Sequence, residues 1–123
     1  MKERPNVKLK KKHFDIFRKT CEKWAKIYGL LDWDILYHFD NDLGTNAARC
    51  DVNHDGRVAW ITLNCDANLT ITQVKQFAFH EMTELLLAEL QWLMEERFID
   101  QAEVNVARHR VINVLQKVLY PKY

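Results

Sequence analysis

From Ile71 to Phe98 the chain runs ITQVKQFAFHEMTELLLAELQWLMEERF without a Gly or a Pro. Nothing in that run interrupts helical hydrogen bonding, and Thr70 or Thr72 can cap its start. The helix it predicts is about 25 residues, a rod of roughly 37 Å at about 1.5 Å per residue. FAF before its middle and LLLAEL after it are nearly continuous apolar runs, so much of its circumference must be covered by the rest of the chain. A chain of 123 residues has room for one domain built around such a rod.

The covering elements can be read on either side. Phe14, Phe17, Cys21, Trp24, Ala25 and Tyr28 recur at helical spacing from His13 to about Tyr28, and Gly29 ends that helix. WDILYHF, NAARCDV and RVAWITLN read as three strands within residues 33–66. NHDG between the last two predicts a tight hairpin, and an antiparallel sheet is the economical pairing. A last helix starts near Asp100, a good N-cap, and reaches Leu119 before Pro121, with Val104, Val111, Leu115 and Val118 as its apolar stripe. The expectation is an α+β domain over 13–123: an N-terminal helix, a three-stranded antiparallel sheet, the long helix and an antiparallel C-terminal helix. Residues 1–12, MKERPNVKLKKK, read as a flexible basic tail.

The formal net charge of +1 gives no reason to expect a nucleic-acid binder or a membrane-surface protein, and the Lys-rich start reads as a solvated end. No stretch approaches the roughly 18 apolar residues of a membrane span, and no secretory leader is visible. Cys21, Cys50 and Cys65 are odd in number and form no CxxC pair, which reads as three reduced thiols in a cytoplasmic protein.

The chemistry sits on the long helix. His80 and Glu84 are four residues apart and project from one face, as a metal ion held by a rigid support requires. Glu81 is about 100° around from His80, placed to act as a general base rather than as a third ligand. The bland alternative is a hydrogen-bonded His on a Glu-rich amphipathic helix. Against it stands the cost of burying these charges without a partner or a metal.

HEMTE resembles the HExxH signature of the zincin metallopeptidases with its second His replaced by Glu. The layout of elements is similar to the small gluzincin-like peptidase domains that stand alone, many of them phage-encoded. The resemblance implies a third ligand on the last helix, and two residues there are candidates, Glu103 and His109. With the turn near 97–100, His109 is the one expected level with Glu84, whereas Glu103 is still about 15 Å short. HRVINVL also resembles the third-ligand helix of the phage-type relatives, with His109 standing where they carry Glu. The expected metal set is therefore His80, Glu84 and His109, with Glu103 the alternative to His109. Two imidazoles and a carboxylate suit Zn2+ and admit Mn2+ or Fe2+.

By resemblance the chain is expected to be a metal-dependent hydrolase, a zinc metallopeptidase in which Glu81 activates water at the metal. Its peptide or protein substrate would lie beside the strand Arg57–Asn64, and Tyr120 would assist the oxyanion. The alternative is an inactive member of the metallopeptidase fold, a phage-type binding protein acting on a partner protein in a host cytoplasm. A second motif is a decoy: Asp51, Asn53, Asp55 and Gly56 match half of a calcium loop, but Thr62 stands where a bidentate Glu is needed. His54 in that turn is expected to be solvent-exposed, and His13 and His38 are given no role. The four Trp read as core, with the lining of a substrate groove the alternative for one of them.

Overall fold

The computed structural model describes residues 7–96 and 100–119. Its elements in chain order are β1 (Val7–Lys8), α1 (Lys11–Tyr28), β2 (Asp34–Asp40), β3 (Ala48–Asn53), β4 (Val58–Asn64), β5 (Asn68–Leu69), α2 (Ile71–Glu95) and α3 (Gln101–Leu119). The architecture is α+β, three helices with a small three-stranded sheet, as the periodicities predict. None of the described helices is long and apolar enough to cross a membrane.

Local chemistry sets the helix ends. Thr70 Oγ1 accepts the Gln73 N–H at 3.2 Å while the Thr70 N–H donates to Gln73 Oε1 at 2.9 Å, a reciprocal cap that starts α2. Asp100 Oδ1 accepts the Glu103 N–H at 2.8 Å and starts α3. Gly29 closes α1 with φ of 71°, the left-handed conformation that a side chain resists. His13 also has a part here: its Nδ1 accepts the Lys10 N–H at 2.9 Å at the start of α1.

The stretch read as a flexible tail divides. Residues 1–6 lie outside the described residues. Val7–Lys8 pairs antiparallel with β5, Leu9 is buried, and Lys11 and Lys12 belong to the first turn of α1.

The three-stranded sheet is mixed, not antiparallel. Its order is β2-β4-β3, with β3–β4 antiparallel as the hairpin requires and β2–β4 parallel. Residues 41–47 carry the chain past the end of β4 rather than turning β2 back on its neighbour. Asn64, buried at the end of β4, ties that connection down: its Nδ2 donates to Asn46 O at 2.9 Å and to Gly44 O at 3.4 Å, and its backbone N–H donates to Ala47 O at 2.8 Å. The strand Arg57–Asn64, expected to be the substrate edge, is consequently central and hydrogen-bonded on both sides. The edges are β2 and β3.

The register of β3 identifies its free groups. Asn64 bonds to Ala47, so in the alternating antiparallel ladder Arg49, Asp51 and Asn53 face β4 with their backbone groups. Ala48, Cys50 and Val52 turn theirs to the open edge.

One face of the sheet is covered by α1 and α2. Ala59, Ile61 and Leu63 of β4 meet Phe17 and Cys21 of α1 and Val74, Ala78, Met82 and Leu85 of α2, all buried. α3 packs on α2 and α1, and Ala107 is its one buried residue among those described.

Candidate metal centre

The long helix positions the cluster. Val74, Ala78, Met82 and Leu85 point α2 into the core and leave His80 and Glu84 on its outer side, with side chains 64% and 54% exposed. Glu81 is turned inward toward β3 and is only 4% exposed. His80 Nε2 lies 3.5 Å from Glu84 Oε1, and one donor atom from each of His80, Glu81 and Glu84 lies within 4.8 Å of the others. Thr83 anchors this turn from behind: its hydroxyl donates to Phe79 O at 2.8 Å and accepts from the Tyr28 hydroxyl of α1 at 2.9 Å.

The electrostatics follow from burial and crowding. Removal from water pushes the Glu81 carboxyl up to about 8, and the hydrogen bond and charge of Glu84, then the charge of Asp51 on β3, push the same way. The Cys50 thiol, on the inner face of β3, is raised to about 12 by its own burial and by Glu81, Glu84 and Asp51. Burial and the Glu81 charge also raise Cys21 of α1. Cys21, Cys50 and Cys65 are all free thiols, and the two nearest the cluster are held protonated and are poor nucleophiles. The three groups converge with acidic charge and no lysine or arginine among them. That group of donors could hold a divalent cation, with a carboxylate oxygen and the His80 imidazole nitrogen within reach of one another.

Searches against family models, curated proteins and solved structures return no match.

The predicted residues divide into those brought together and those not. His80 and Glu84 share one face as their spacing requires, and Glu81, expected to stand apart as a base only, joins their donor set. His109 does not join it. Its ring is exposed and its Nδ1 donates to Asn105 O of its own helix at 2.8 Å. The reason is angular: α3 packs through Ala107, and a residue two positions on is turned about 200° around the helix. The axial level differs as well. Arg110 Nη1 donates to Glu89 Oε2 at 2.6 Å, so His109 stands beyond Glu84, near the level of the next turn and a half of α2. Glu103, the alternative, is exposed in the first turn of α3 and also lies outside the cluster. Tyr120 lies outside the described residues.

Two further residues depart from expectation. His54 is not a free surface side chain: it stacks on Trp92 of α2 at 4.3 Å and 8° and meets the edge of Trp33 at 6.0 Å. In the same turn the left-handed residue is Arg57, with φ of 54°, rather than Gly56. Arg57 is held over the Trp33 ring at 4.2 Å and paired with Asp32, which offsets the strain of a side chain in that conformation. Asp51, which adds to the upward push on Glu81, and Cys50, whose thiol Glu81 raises, carried no sequence signal toward this cluster, since only the strand-to-helix packing brings β3 to α2.

Proposed function

We propose that this chain is a metal-dependent hydrolase of the small gluzincin-like type, with His80 and Glu84 holding a divalent cation and Glu81 serving as general base. The observation that carries the reading is the convergence of three donor atoms within 4.8 Å on one turn of a helix braced by the core. Zn2+ accepts an imidazole and a carboxylate completed by water, and the same pair admits Mn2+ or Fe2+. A bound cation would supply Lewis acidity and ease deprotonation of an attacking water.

The chain's own groups would do the rest. Glu81 takes the proton from water as its oxygen adds to the scissile carbonyl carbon, and returns it to the amine nitrogen as the C–N bond breaks. Its burial between Glu84 and β3 keeps its carboxyl from competing solvent. The edge available to an extended peptide is β3, where Ala48, Cys50 and Val52 offer unpaired N–H and C=O groups beside α2.

Glu81→Gln tests the proposal. Hydrolysis of an unstructured protein such as casein should drop by about 10²-fold or more. Unchanged hydrolysis in the variant rejects Glu81 as the base.

A second reading is a binding protein on an inactive scaffold of this type. It is favoured by the exposure of His80 and Glu84 and by the lack, among the described residues, of a ligand from α3. Metal content separates the two.

A further inference from the structure

Beyond the donor cluster, the space between α2 and the β3–β4 hairpin forms a groove of about 640 Å³. Its floor starts at Cys50 and Ala88, one helical turn past Glu84, and it ends at Asp55 and Glu95. Trp60 and Trp92 line it, and the stack of His54 on Trp92 holds the latter ring in one orientation. His54 Nδ1 is buried there without a hydrogen-bond partner, a polar atom left for a ligand to satisfy or rearrange. Among the described residues that line the groove there are two carboxylates and no lysine or arginine. Aromatic rings with carboxylates beside them are the surroundings that favour an alkylammonium or guanidinium group, through ring quadrupole and charge together. Two of the lining residues, Cys50 and Val52, are also those whose backbone groups face the open edge of β3.

We propose that this groove receives a Lys or Arg side chain of an extended peptide whose backbone pairs with the free edge of β3. As a statement about substrate it rests on the hydrolase reading, and as a statement about binding it does not. Trp92 is eight residues past Glu84, about 12 Å along the helix, which an extended strand spans in about four residues. The basic side chain would therefore lie three or four residues from the reacting bond. An apolar side chain would fill the same space without meeting Asp55 and Glu95, and an acidic one would be repelled by them.

The test uses the full chain and a fluorescein-labelled ten-residue host peptide of Ala, Ser and Thr. It carries Lys, Arg, Leu or Glu at each position in turn. Anisotropy titrations are run with and without EDTA, and metal content is measured on the same samples. The expected result is binding about tenfold tighter for Lys or Arg than for Glu at one position, in both conditions. The preference should fall to about twofold or less in Asp55→Lys/Glu95→Lys, with circular dichroism confirming the fold. Equal affinity for the Lys and Glu peptides, or a Lys peptide that binds the double variant as well as wild type, would overturn it. A retained preference in protein that takes up no metal supports the groove and removes the hydrolase reading alone.

Discussion

Glu81 is the residue on which the proposed chemistry and the stability of the molecule meet. Its carboxyl is buried and hydrogen-bonded to Glu84, so the folded chain holds a proton there up to about pH 8 while the unfolded chain releases it near 4.5. Between those values the folded state binds more protons than the unfolded one, so stability falls as pH rises and is greatest below the unfolded value. Metal-free protein should show a Tm that declines from pH 5 to pH 8, and Glu81→Gln should flatten that decline. A Tm that climbs over this window in wild type would contradict the burial. Asn64 makes a second case at this scale. Asn64→Ala leaves the carbonyls of Gly44 and Asn46 without their partner and should cost about 1–3 kcal/mol in urea unfolding. The pair His80 and Glu84 was legible from spacing alone, because four residues is nearly one turn. His109 lies outside the cluster, and the sequence holds the reason: Val104, Val111 and Val118 mark the packing face of the last helix, and His109 is about 200° from Val111.

Among the elements, the helices were legible and the sheet order was not. Each helix announces itself by its own caps and stripe, as Thr70 with Gln73 and Asp100 with Glu103 show. Thr70→Ala should therefore destabilise the chain by about 1 kcal/mol, readable as a lower urea midpoint with an unchanged slope. Strand order depends on a contact that no short window contains. The hairpin of β3 and β4 is local and was found. The parallel β2 follows from the way residues 41–47 pass the end of β4 and are held by Asn64, a distant side chain. That order also makes β4 central and leaves β3 with an open edge, the strand on which the proposed peptide would add.

For the whole molecule, α1 and α2 cover one face of the sheet, and α2 carries the donor cluster on its outer side, where the β3 edge and the groove beyond it converge. The cluster and the open edge of β3 are thus held by two elements, α2 and β3, and α3 buttresses α2 without adding a donor among the described residues. Purified, chelator-free protein analysed for Zn, Mn and Fe, before and after reconstitution, tests that arrangement most directly. Wild type and His109→Ala should each hold close to one metal ion per chain, whereas His80→Ala and Glu84→Ala should hold little. Metal-free wild type after reconstitution, or loss of metal in His109→Ala with retention in His80→Ala, would contradict the account.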